Sequence, residues 1–172
     1  MIIAFKKREQ RQLRKVNDEL LSLTAINPNQ IFYRITILSY VLSKIISKPR
    51  FLTTEFATSL SEIDKSLVLL SQSITTPNDE KTIHVISKVE EAISKLDNRD
   101  PRFVIDLLTK GKLKIAATLY AQGMSLGVAS SITGLEKQEI LDYSGQTMMF
   151  DRLKEEKSVH ERMKTARKMI GE

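Results

Sequence analysis

Apolar side chains recur every three or four positions along most of this chain, the spacing that lines one face of an α-helix. Leu13, Val16, Leu20 and Leu23 predict a first helix over about residues 7–25. In INPNQ, Asn27 suits a helix cap and Pro28 the first turn, where a missing N–H costs nothing. Ile31, Ile35, Leu38, Leu42 and Ile45 then form a second stripe that runs to the SKPR break at Pro49. The third is the most regular: Leu52, Phe56, Leu60, Ile63, Leu67, Leu70 and Ile74 hold helical spacing for about six turns. Thr76 as cap, Pro77 and Asp79 predict the start of a fourth helix, whose face is Ile83, Ile86, Val89, Ile93 and Leu96. No segment sustains strand-type alternation. Four amphipathic helices joined by short polar turns predict an antiparallel bundle, because each stripe has to be buried against another.

At LDNRDPRF the pattern changes. Asp100 is expected to cap and Pro101 to open a helix over residues 102–109, with Gly111 as punctuation and a further helix over 112–121. Two short helices follow in residues 125–145, then a long polar helix over 151–170. The predicted fold is all-α: a four-helix bundle (1–100), a small helix-turn-helix module (101–150) and a C-terminal amphipathic helix (151–172).

The stretch SLGVASSITGLEKQEILDYSG, residues 125–145, has what two clamped helices need. Ser125 caps after the Gly123 stop, Ala129 and Ser130 are small, and Gly134 tolerates a left-handed turn. Leu135, Ile140 and Tyr143 anchor the second helix, and Gly145 is expected to close it. The surrounding run over residues 112–150 resembles the helix-turn-helix of small, mainly archaeal proteins of antitoxin or regulator type, through Gly123, Ser125, Ala129, Gly134, Glu139, Leu141, Asp142, Tyr143 and Gly145. That resemblance implies the local fold and a regulator-like role; residues 1–100 resemble no family.

Two functions follow from this pair of helices. As a DNA-binding transcriptional regulator, the protein would hold phosphates with Lys112, Lys114 and Ser125 and touch bases with Lys137 and Gln138. Against this, the second helix sets Glu136, Glu139 and Asp142 against Lys137 alone. The alternative is a protein-interaction adaptor or antitoxin-like module that meets a basic partner through Glu136, Leu141 and Asp142. Phosphate contacts could also come from the amino-terminal segment, where Lys6, Lys7, Arg8, Arg11, Arg14 and Lys15 face only Glu9. Such a run is more commonly a solvated helical face.

Composition narrows the classes further. A chain of 172 residues, 41% hydrophobic and 28% charged, has room for one good core plus a small module. A net charge of +6 permits contact with nucleic acid without requiring it. The absence of cysteine excludes disulfides, thiolate catalysis and cysteine-bound zinc, and fits a cytoplasmic location. No export signal or membrane span is read, so no membrane partner is expected. His84 and His160 lack a neighbouring carboxylate or second histidine at helical spacing, which signals neither a metal site nor a general base. With no phosphate-cradling glycine loop or nucleophile elbow, neither a cofactor nor an enzyme is expected. The aromatics Phe32, Tyr33, Tyr40, Phe51 and Phe56 read as core. In the tail, Val159, Met163, Ala166 and Ile170 form a narrow apolar seam, suited either to the chain's own body or to a second copy in a homodimer.

Overall fold

A computed structural model describes residues 1–75, 78–100, 106–152, 163–164 and 167–168. Its elements are α1 (Ile2–Lys6), α2 (Gln10–Ile26), α3 (Gln30–Ile46), α4 (Ala57–Ile74), α5 (Asp79–Asp97), α6 (Leu107–Ala121), α7 (Leu126–Thr133) and α8 (Lys137–Gln146), with short 3-10 turns at Pro49–Leu52, Thr54–Phe56 and Phe150–Arg152. No strand occurs among the described residues. The described residues form an all-helical fold. α2 lies along α3 and α4 along α5, while α3 also meets α5 and α1 reaches α2, α3 and α4.

Local chemistry sets the helix starts. Asn29, not Asn27, caps α3, its carboxamide oxygen accepting from Ile31 N at 2.7 Å. Asn78 does the same for α5, accepting from Lys81 N at 2.9 Å; Thr76 and Pro77 lie outside the described residues. The third stripe is helical only from Ala57: Pro49 and the residues after it form the two 3-10 turns. These turns bury Phe51 and Phe56, which meet edge to face with ring centres 5.3 Å apart. Leu52 and Ile74, the ends of the expected stripe, are exposed.

The first helix differs most from its apolar pattern. The segment splits at Arg8, whose φ of 58° ends α1, and α2 buries Leu13, Asn17, Leu21 and Thr24 rather than Leu20 and Leu23. The cause is a polar seam against α3. Asn17 Nδ2 donates to Thr36 O at 2.9 Å and to Ser39 Oγ at 2.8 Å, and the Thr24 and Thr36 hydroxyls meet at 3.0 Å. Satisfied hydrogen bonds allow these groups to be buried without the usual penalty. The helix turns about its axis to make them.

Gly111 is not a break but the middle of α6, which runs unbroken from Leu107. A Cβ there would stand 2.8 Å from Val41 Cγ2 and 3.2 Å from Ile37 Cγ2, so the missing side chain lets α6 cross α3 closely. Leu107, Ile115 and Leu119 of α6 join the apolar cluster that holds Phe5, Leu13, Ile37, Leu42, Ile63, Leu67, Ile86 and Ile93. Asp106 caps this helix, accepting from Thr109 N at 2.7 Å and Thr109 Oγ1 at 2.8 Å. Asp100 is buried against Arg50, with Arg50 Nε 2.7 Å from its Oδ2, and the residues it is expected to cap lie outside the described ones. The start of the expected 102–109 helix lies outside the described residues.

Candidate nucleic-acid interface

α6, α7 and α8 enclose a small second cluster of Ala116, Ala129 and Ile140, bordered by Tyr120, Met124, Leu126 and Leu135. The small residues let the three helices approach closely. Ser125 caps α7, its hydroxyl accepting from Val128 N at 3.2 Å. Gly134 ends α7 in the left-handed region at φ 68°, the conformation an L side chain adopts at a cost. Two bonds fix the turn: Ser130 Oγ donates to Leu135 O at 2.7 Å, and Leu135 N donates to Thr133 Oγ1 at 3.2 Å. Glu136 and Glu139 form a capping box at the start of α8, with Glu136 N donating to the Glu139 carboxylate at 2.9 Å. Two of the acids on α8 thus serve its own first turn. Gly145 sits inside the last turn of α8 rather than beyond it; the chain leaves through Met148, at φ 46°. Met149 is buried behind α8, and Phe150 meets Tyr120 edge to face at 5.3 Å.

The candidate side chains are distributed unevenly. Lys137, Gln138, Glu136 and Asp142 are exposed on α8, and Leu141 is 37% exposed among them. Gln138 Nε2 donates to Asp142 Oδ1 at 2.7 Å, so part of its amide is engaged within the helix. Ser125 stands exposed at the start of α7. Lys114 Nζ lies 3.3 Å from Met149 Sδ, beside the end of α8. Lys112 lies on another face of α6, lining a cavity of about 220 Å³ with Gln30, Tyr33, Arg34, Glu90 and Thr133. Of the tail seam, Met163 is exposed, while Val159, Ala166 and Ile170 lie outside the described residues, as does His160.

That cavity marks where α3, α5, α6 and α7 meet, a joint no local motif announces. Arg34 grips Glu90 with two bonds, Nε to Oε1 at 3.0 Å and Nη2 to Oε2 at 2.6 Å, and also donates to Ser87 Oγ at 2.9 Å. Tyr33 donates to the Lys112 carbonyl at 3.3 Å. Burial pushes the Tyr33 hydroxyl well above its ordinary range, with Thr133 opposing and Glu90 adding to the shift.

A second unannounced cluster gathers the ends of α3 and α5 and the start of α6. Asp97 is buried, with Oδ2 accepting from Leu107 N at 2.7 Å and Oδ1 lacking a hydrogen-bond partner. Burial raises the Asp97 carboxyl above its usual value, against the Leu107 bond, and lowers the Lys48 ammonium, with Arg50 adding to that. The cluster ties helix ends together. Among the described residues no group of histidine and carboxylate side chains could hold a metal ion, and no helix is long and apolar enough to cross a membrane.

No protein-family model, curated protein or solved structure matches this chain. Functional assignment therefore rests on the geometry of α6, α7 and α8.

Proposed function

We propose that the protein is a DNA-binding regulator in which α7, the Gly134 turn and α8 act as a helix-turn-helix, carried by residues 101–150 and braced on a bundle formed by residues 1–100. The supporting observation is that Lys137 and Gln138 stand exposed on α8, which is clamped by Ala129 and Ile140 across a left-handed glycine turn. An exposed, rigidly held second helix is the part that enters a major groove. In this reading Lys137 and Gln138 touch base edges, and Ser125 and Lys114 hold phosphates. Lys112, which borders the cavity beside Tyr33, holds a phosphate from that other face of α6 in the same reading. Changing Lys137 and Gln138 together to alanine should abolish preference among duplex sequences; unchanged preference would remove these residues from the interface.

A second reading has its own observation. Leu141 is exposed between Gln138 and Asp142, which bond to each other, so this face offers an apolar centre with an acidic rim. Such a face suits a basic protein surface. Leu141→Asp should then release a co-purifying protein while leaving DNA retention as it was. Dimerisation through Val159, Met163, Ala166 and Ile170 would serve either reading, by pairing two copies on a two-fold site.

A further inference from the structure

Arg8 and Asp64 carry opposite charges, line one cavity and form no ion pair with each other or with any other described residue. The cavity, about 340 Å³, lies where the segment after α1, the 3-10 turns and the first half of α4 come together. These two are its charged lining residues. The charged residues close to its lining in sequence, Lys7, Glu9, Glu55, Glu62 and Lys65, are exposed and do not line it. Asp64 Oδ1 is buried without a hydrogen-bond partner, a costly state for a carboxylate oxygen that an N–H donor relieves. Arg8 is held by its surroundings rather than by an acid. Its φ of 58° is a left-handed value that a residue other than glycine adopts at a cost, a kind of strain that collects where side chains are presented to ligands. Its guanidinium stands 5.1 Å from the centre of the Phe5 ring, and Nη1 reaches the Phe5 carbonyl at 3.5 Å. Thr54 and Ser61 add hydroxyls to the lining, and Leu52 and Leu60 add apolar surface.

We propose that this cavity binds a small α-amino acid with an aliphatic side chain. The ammonium donates to Asp64, the carboxylate accepts from Arg8, and the side chain lies against Leu52 and Leu60. A ligand with one charge satisfies one of the two residues and leaves the other unpaired, whereas a zwitterion gives each a charge-assisted hydrogen bond. The volume stands at the small end of the range for ligand sites, roughly 300–1,000 Å³, which suits a ligand of this size. No residue of α6, α7 or α8 lines the cavity, so this binding is independent of how α8 is read.

The test is titration calorimetry of the full chain with L-leucine as the probe, beside isocaproate, which lacks the ammonium, and isoamylamine, which lacks the carboxylate. L-Leucine should bind saturably and the two analogues should not. Arg8→Gln and Asp64→Asn should each weaken leucine roughly ten- to a hundredfold, because each removes one charge-assisted hydrogen bond. Arg8→Gly should weaken leucine as much while keeping the wild-type melting temperature, since glycine adopts the φ of 58° freely; that separates lost recognition from a damaged fold. Isocaproate or isoamylamine bound as tightly as leucine would overturn the zwitterion. Leucine binding unchanged in both Arg8→Gln and Asp64→Asn would overturn the site. Neither saturable heat nor a raised melting temperature with millimolar L-leucine, L-isoleucine or L-valine would overturn the proposal outright.

Discussion

Gly111 of α6 and Val41 of α3 meet so closely that a single added methyl would stand 2.8 Å from Val41 Cγ2. Alanine in a helix interior is ordinarily favoured over glycine by about 1 kcal/mol. Here that gain is opposed by overpacking, which typically costs about 1–3 kcal/mol, and the β-branched Val41 and Ile37 have little freedom to yield. Gly111→Ala should therefore lower stability in denaturant unfolding, and Gly111→Ala with Val41→Ala should lose less than the two separate changes predict. A stabilised Gly111→Ala would show that the crossing is looser than this contact implies.

Asp97 at the end of α5 and Asp106 at the start of α6 should give opposite pH responses. Asp97 is raised above the ordinary 3.8, chiefly by burial. Its native state holds the proton more readily than the unfolded chain, so its contribution falls as pH rises through the interval from the ordinary value to the raised one. Asp106 is lowered: burial works against it, but bonds from Thr109 and Leu108 and the charge of Lys112 prevail. Its contribution is complete above the ordinary value and lost as pH falls through the lowered one. Relative to wild type, Asp97→Asn should gain stability between acid and neutral pH, and Asp106→Asn should lose it. Asp97→Ala, which leaves Leu107 N without its acceptor, should cost about 1–3 kcal/mol at any pH. Thermal melts at several pH values read both signs, and parallel profiles would contradict the assignment.

At Gly134 the constraint is the backbone alone. An added Cβ meets nothing within 4 Å, while φ is 68°. Gly134→Ala should cost roughly 1–2 kcal/mol, the penalty for a side chain in the left-handed region, and Gly134→Asn should cost less. Equal melting temperatures for the two variants would point to a turn that relaxes away from this conformation.

Periodicity announced the helices because burial of one face is a local property of the sequence. Leu60, Ile63, Leu67 and Leu70 on α4, and Ile86, Val89, Ile93 and Leu96 on α5, are buried where their spacing puts them. The Gly134 turn was legible for a similar reason: positive φ selects for glycine within a few residues. Features created by partners distant in sequence were not. Asn17 and Thr24 turn α2 toward α3 by hydrogen bonds to Thr36 and Ser39, which apolar spacing does not register. Gly111 looked like a stop because nothing nearby reveals that Val41 lies across from it. Among the candidate site residues, Lys112 and Lys114 are two apart on one helix, and only the surrounding helices decide that the carbonyl of one meets the Tyr33 hydroxyl and the ammonium of the other Met149.

In the regulator function proposed for this protein, α8 is held outward to read DNA. The most direct measurement compares binding of the wild-type chain and of Lys137→Ala with Gln138→Ala to a pool of random-sequence duplexes, followed by sequencing of the retained fraction. The wild type should enrich a defined site and the variant should retain DNA without enriching it. A wild type that enriches no sequence, or a variant that enriches the same site, would contradict the account.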